Sequence, residues 1–113
     1  MLTIYHNNRC SKSRCTLDLL KENQQEVEIV EYLKTPPTAD ELKALLKKLN
    51  LKPEQLVRKG EKLFRENYAG KTFTDDEWIT LMAENPVLIE RPIVVNGDKA
   101  VIGRPPEKVL EIL

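Results

Sequence analysis

The first 32 residues constrain the fold most. Leu2 and Ile4 set a short apolar strand pattern over residues 2–5, which runs into the polar loop His6-Asn7-Asn8-Arg9. A helical pattern follows over residues 12–23, with Leu17, Leu19 and Leu20 as its apolar contacts. Val27, Ile29 and Val30 with Tyr32 then read as a second strand, roughly residues 27–32. Together these pieces form a βαβ unit, and such units place their two strands side by side and parallel. Whatever follows must extend a sheet that already contains a parallel pair.

Thr35-Pro36-Pro37 breaks the chain next. Thr38-Ala39-Asp40-Glu41 is a capping box, and Leu42, Leu45, Leu46 and Leu49 behind it form an i, i+3, i+4, i+7 stripe. Pro53 opens a short helix through Arg58, Gly60 interrupts, and residues 61–68 supply a further turn or two. Thr74-Asp75-Asp76-Glu77 is a second capping box, opening a helix to about Glu84 that Pro86 closes. Trp78, Leu81 and Met82 on that helix read as core. The last third returns to β structure, with Ile93-Val94-Val95 and Ala100-Val101-Ile102 joined across Asn96-Gly97 as a hairpin. Pro105-Pro106 starts a final helix with Val109, Leu110, Ile112 and Leu113 on its apolar side. The order is β-α-β, a helical insertion at about residues 38–85, then β-β-α. It predicts an α/β chain with a mixed four-stranded sheet, forming a single domain over residues 1–113.

A chain of 113 residues suffices for one domain with one modest core. Eighteen basic and eighteen acidic residues cancel, so no global positive field points to nucleic acid. The longest apolar runs, such as Ile93-Val94-Val95, are far too short to span a membrane. The polar loop also comes too early to leave room for a signal-peptide apolar region, and a cytoplasmic location is expected. Two cysteines and one histidine make a poor zinc prospect, and no metal is expected.

The chemistry centres on Cys10. Its position between a strand-end loop and a helical pattern puts a thiol at a helix N-terminus, where unpaired N–H groups and the helix dipole favour the thiolate. Arg9, Lys12 and Arg14 add positive charge, and His6 lies four residues back. The competing reading is an inert core cysteine, but a polar loop with three cationic neighbours does not suit one. Two spacing tests then narrow the chemistry. A Cys-x-x-Cys dithiol needs cysteine at position 13, which is Ser13; a phosphatase loop needs arginine at position 16, which is Thr16. Cys15 is no partner either, because five residues along one helix separate Cα atoms by roughly 9 Å, beyond the ~7 Å limit for a disulfide. A Cys10 that forms a mixed intermediate therefore takes its second thiol from outside. His6 has either a packing role or a part in holding the thiolate or moving a proton. Ser13 is either a helix-start residue or a hydrogen-bond donor to the sulfur.

Arg58, Arg91 and Arg104 are scattered along the chain. Arg91 precedes Pro92 at a strand start, where proline is tolerated and a cis peptide is compatible. Arg104 stands between Gly103 and Pro105, after the hairpin. Both lie at strand ends, and guanidinium forks suit tetrahedral oxyanions.

The chain resembles the ArsC-like arsenate reductase family, which uses glutathione and glutaredoxin and has a thioredoxin-like fold. The resemblance spans nearly the whole chain. It rests on Ile4-Tyr5-His6-Asn7, Cys10, Ser13-Arg14, Tyr32-Leu33-Lys34-Thr35-Pro36-Pro37, Leu56-Val57-Arg58-Lys59, Phe73-Thr74-Asp75-Asp76, Asn85-Pro86, Glu90-Arg91-Pro92-Ile93-Val94-Val95 and Ile102-Gly103-Arg104-Pro105-Pro106. The stretch from Ile102 to Leu113 is most similar to the short YfgD-like branch. The resemblance implies that Cys10 is the nucleophile, with His6 supporting its thiolate and Ser13 near the sulfur. It implies that Arg58, Arg91 and Arg104 hold arsenate, and that Pro92 is a cis-proline facing the cysteine. One departure stands out: Arg9-Cys10-Ser11-Lys12 replaces the Ala-Cys-Gly-Thr of the classical plasmid enzymes.

The implied activity is arsenate reduction in arsenic detoxification by a monomer with no bound cofactor. Arsenate is the substrate, glutathione the co-substrate and glutaredoxin the protein partner. Two alternatives keep the fold. An Spx-like regulator would bind RNA polymerase, but such regulators commonly carry the Cys-x-x-Cys switch that Ser13 lacks. A glutathione-dependent oxidoreductase acting on another substrate would use the extra cations Arg9 and Lys12.

Overall fold

A computed structural model describes residues 2–113. The chain divides into two compact units. One runs through Thr35 and resumes from Arg91 to Leu113; the other is Pro36–Glu90.

The first unit holds the sheet. Strand β1 (Leu2–His6) leads to helix α1 (Ser11–Glu22) and strand β2 (Val27–Glu31). After the helical unit come β3 (Ile93–Asn96) and β4 (Lys99–Ile102). The strands lie in the order β2-β1-β3-β4. β1 runs parallel to β2, with Leu2 opposite Val27 and His6 opposite Glu31. β3 is antiparallel to both neighbours, with Tyr5 opposite Ile93 and Ile93 opposite Ile102. This is the mixed α/β sheet of a thioredoxin-like fold. Leu2, Ile4, Leu20, Val94 and Val109 form its buried core, joined by half-buried Leu17, Leu19, Val27, Val101 and Ile112. Of the second strand's apolar residues, Ile29 is 45% exposed, because β2 is an edge strand with a neighbour on one side only.

Two local expectations change. The hairpin turn centres on Gly97-Asp98, one residue later than Asn96-Gly97. Gly97 has φ +62° and Asp98 is not among the residues with positive φ, so the turn has the glycine-first pattern of a II′ hairpin. Asn96 pairs with Lys99 instead, and its side-chain N–H donates to the Ile112 carbonyl at 2.5 Å. The final element, Pro106–Ile112, is a 3₁₀ helix. Three residues per turn align Pro106, Val109 and Ile112 on one face, which explains why Val109 is fully buried while Leu110 and Leu113 point outward.

The second unit is helical. Its helices are α2 (Ala39–Leu49), α3 (Pro53–Leu56), α4 (Lys62–Asn67) and α5 (Asp75–Glu84), followed by a 3₁₀ turn at Pro86–Leu88. Both capping boxes form, at Thr38 with Glu41 and at Thr74 with Glu77. α2 and α3 pack on α5, where Leu42, Leu45, Leu46, Trp78, Ile79 and Met82 are buried. Trp78 also meets Phe73 edge-on at 4.7 Å between ring centroids. The third helix ends at Leu56, so Arg58 sits beyond it; a bridge between Val57 and Ile89 pulls the backbone out into an extended form. Among the described residues, no helix is long and apolar enough to cross a membrane.

The terminal 3₁₀ face gives a direct test. Val109→Ala should lower unfolding free energy by about 2 kcal/mol through lost burial and the cavity left behind. Leu110→Ala should change it by no more than about 0.5 kcal/mol. Urea unfolding of both variants measures the contrast, and equal losses would contradict the 3₁₀ register.

Candidate active site

Cys10 is the N-cap of α1, with extended backbone angles (φ −95°, ψ 121°). A tight loop brings the chain there: Cys10 N–H donates to the Asn7 carbonyl at 3.0 Å, and Arg9 N–H donates to Asn7 Oδ1 at 3.0 Å. The second bond is an Asx turn, which an asparagine supplies at low cost. No side-chain oxygen caps the helix. Instead the N–H groups of Ser13 and Lys12 serve the Cys10 sulfur. Ser13 is fully buried and works in two directions. Its oxygen accepts from Asn7 N–H at 3.1 Å and lies 2.6 Å from His6 Nδ1. We assign the hydroxyl as donor to Nδ1, which places the neutral ring's proton on Nε2. His6 thus supports the loop through Ser13.

The cations come from the far end of the chain. The Arg91–Pro92 and Arg104–Pro105 peptides are both cis. Gly103 N–H donates to the Pro92 carbonyl at 2.9 Å, and Arg104 Nε donates to the Arg91 carbonyl at 2.6 Å. The second bond aims the guanidinium, whose Nη2 donates to Cys10 Sγ at 3.7 Å. The Arg91 side chain and its charge also favour the thiolate. Its Nε is buried and takes no hydrogen-bond partner among the described residues. A Cβ at Gly103 would lie 2.8 Å from Thr16 Oγ1 and 3.1 Å from Pro92 Cγ, so only glycine lets these segments approach. Thr16 is itself buried and held, donating its hydroxyl to the Lys12 carbonyl at 2.8 Å.

The electrostatics follow from this geometry. Burial, the largest influence, pushes the Cys10 thiol up. Hydrogen bonds from Ser13 N–H, the Arg91 side chain and Lys12 N–H, with the Arg91 charge, outweigh it and hold the thiol below its ordinary range. For His6, burial dominates and lowers the pKa; Glu31 opposes, while Lys21 and Arg14 add to the lowering. A neutral His6 at neutral pH suits its place as an acceptor from Ser13.

Arg58 belongs to the helical unit. Its N–H donates to the Leu88 carbonyl at 2.6 Å, its Nε lies 3.5 Å from Glu61 Oε2, and its buried Nη1 takes no hydrogen-bond partner among the described residues. Cys15 is exposed and, like Cys10, a free thiol. Three residues escaped the sequence reading: Asn7, Thr16 and Gly103. An asparagine two residues before a loop amide is a legible Asx signal. The closeness of Thr16 to Gly103 had no local signal, because 87 residues separate them.

The thiolate is present above the Cys10 pKa, so a lowered pKa moves reactivity to lower pH. In a Cys15→Ser background, the alkylation rate of Cys10 should rise with a midpoint below that of an ordinary thiol. Arg91→Ala should move that midpoint upward, and an unmoved midpoint would remove Arg91 from the thiolate's support. Gly103→Ala should cost about 1–3 kcal/mol of stability by overpacking. Thr16→Ala in the same chain should recover part of it, so a double-mutant cycle with additive losses would refute the contact.

This constellation has close parallels. The family model described as the ArsC family matches residues 5–112. The uncharacterized protein YfgD of Escherichia coli (strain K12) is 54% identical over 97% of this chain and 94% of its own length. An arsenate reductase of Haemophilus influenzae is 47% identical, with 97% of each chain covered. The solved structure of an arsenate reductase from Vibrio cholerae superposes with a TM-score of 0.95 at 46% identity, covering 99% of this chain and 97% of that one. A near-complete family match, with a cysteine at a helix start and a cis-proline loop beside it, makes this chain a member of the ArsC family.

Proposed function

We propose that this chain is an arsenate reductase, an oxidoreductase that works through the Cys10 thiolate. One observation carries the reading: Arg104 donates to the Cys10 sulfur, and Arg91, whose charge favours the same thiolate, keeps a buried N–H without a partner. A buried donor left unpaired costs free energy, and an oxyanion bound beside the sulfur would satisfy it. The arsenate reductases among the relatives support the same substrate.

In this mechanism Arg91 and Arg104 orient arsenate and spread its charge. Arg58 is a third candidate ligand on its own surroundings, because its Nη1 is buried and unpaired. The Cys10 sulfur attacks arsenic, forming an S–As bond while one oxygen leaves as water. Ser13 and His6 keep the sulfur ionised and the loop in register, and Pro92 holds Arg91 and Gly103 in place. Glutathione then adds its sulfur to arsenic and displaces a second oxygen as water. Glutaredoxin resolves the adduct: its thiol attacks the glutathione sulfur, forming a mixed disulfide and breaking that S–As bond as arsenic takes up the two electrons, and water then cleaves the remaining Cys10 S–As bond, returning the Cys10 thiol and releasing arsenite. Cys10 needs external thiols because Cys15 is exposed on α1 and position 13 is serine. We place this chemistry in the cytoplasm, where thiols stay reduced. We take the helical insertion as part of one ArsC-like domain that acts as a monomer.

The exposed pair Arg9 and Lys12 favours a second reading, in which the same thiol chemistry serves another acceptor. Both readings meet in one assay. Purified protein with glutathione, glutaredoxin and arsenate should form arsenite, with phosphate competing, and Cys10→Ser should abolish turnover. Arg91→Ala should lower kcat/KM for arsenate about 10²-fold or more. Equal arsenite formation by wild type and Cys10→Ser would end the proposal, and rescue of an arsenate-sensitive strain would end the second reading.

A further inference from the structure

Beside the nucleophile loop lies a cavity of about 290 Å³ that no step above uses, lined by His6, Asn7, Asn8, Arg9, Glu31, Leu33 and Lys34. Its position follows from strand pairing. β1 and β2 are parallel, with His6 opposite Glu31, so the segments leaving both strands emerge at one end of the sheet. One wall is the stretch that runs directly into Cys10; the other is the turn after β2. The volume sits at the small end of ligand pockets, about 300–1,000 Å³, which excludes a nucleotide cofactor with its full surface buried but suits a short peptide.

The charges on this cavity select among short peptides. Arg9 and Lys34 are cations, Glu31 is an anion, and Asn7 and Asn8 offer amides. Lys34 and Glu31 meet at 3.4 Å in an exposed pair, with side chains 75% and 43% accessible. Such a pair is weakly held and opens readily for a competing ligand. Two cations and one carboxylate complement a ligand with two carboxylates and one ammonium. Glutathione carries that charge set at neutral pH. Leu33, exposed at the rim, supplies an apolar contact for its methylene segments.

We propose that this cavity is the glutathione subsite, with Arg9 and Lys34 holding the tripeptide's carboxylates, Glu31 its ammonium, and the His6–Arg9 wall presenting its thiol to the Cys10 loop. The inference rests on the reductase reading for its purpose, while binding is measurable without turnover. S-methylglutathione, which has no free thiol, is the probe. Titrated into the wild-type chain, it should shift the backbone amide resonances of Asn7–Arg9 and Glu31–Lys34. Lys34→Glu should weaken that binding and raise the glutathione KM about tenfold. Lys34→Glu should leave the arsenate KM and the Cys10 alkylation rate unchanged, which separates a thiol subsite from a general disturbance of the loop. Unmoved resonances in these two segments, or an unchanged glutathione KM in Lys34→Glu, would overturn the subsite. A wild-type chain that binds the probe here yet forms no arsenite would sink the reductase reading and leave the subsite standing.

Discussion

The antiparallel pairing of β3 with β1 decides where the site's cations lie. His6 and the Cys10 loop follow the C-terminal end of β1, and Arg91-Pro92 precede the N-terminal end of β3. With Tyr5 opposite Ile93, those two ends coincide. β4 runs back against β3 with Ile102 opposite Ile93, so Gly103 and Arg104 arrive at the same end. β2, parallel to β1, adds Glu31 and the turn behind it. A slip of one residue in β3 would turn Ile93 and Val94 each to the face the other now occupies. It would also carry Arg91 away from the sulfur. Ile93 and Val94 are both fully buried, so a slip would force each into space packed for the other, and close packing on both faces holds the register that the chemistry needs.

At the sulfur, opposing effects meet. Partial burial penalises the thiolate, and it is the largest single influence on Cys10. Helix N–H groups and Arg91 outweigh it only together. That balance explains why so much of the local structure goes into positioning. Asn7 shapes the turn, Ser13 ties the turn to His6, and the Arg91 carbonyl aims Arg104. Gly103 and Thr16 set how closely the far loop approaches α1. Each of these contacts acts on the sulfur through another group.

Regular elements were legible because their signals are local. The capping boxes at Thr38 and Thr74 open α2 and α5 as the sequence requires, since both partners lie within one helical turn. The strand at Leu2–His6 was legible from the alternating Leu2 and Ile4, and that at Ile93–Asn96 from the continuous run Ile93-Val94-Val95. The final element is a 3₁₀ helix where the sequence suggests a helix with Leu110 and Leu113 on its apolar side, because 3.0 and 3.6 residues per turn cannot be told apart over seven residues whose apolar side chains Val109, Leu110 and Ile112 crowd its last four positions. The hairpin turn shifted by one because Asn96 is drawn into the ladder and bonded to Ile112. Arg58 fell outside its expected helix because a tertiary bridge, Val57 with Ile89, won over local propensity.

By itself, the sequence determined that Cys10 stands at a helix start with a histidine and cations near it in the chain, and that no second cysteine is placed to resolve its adducts. Those properties depend on spacing along a few residues. The tertiary structure decided which cations reach the sulfur. Arg9 and Lys12, its sequence neighbours, are exposed, while Arg104, 94 residues away, donates to it. Side chains on the first helical turn project outward around the N-terminus, and strand register brings distant arginines in over the sulfur. Periodicity records the elements, but register is settled only when the buried faces of β1, β3 and β4 meet.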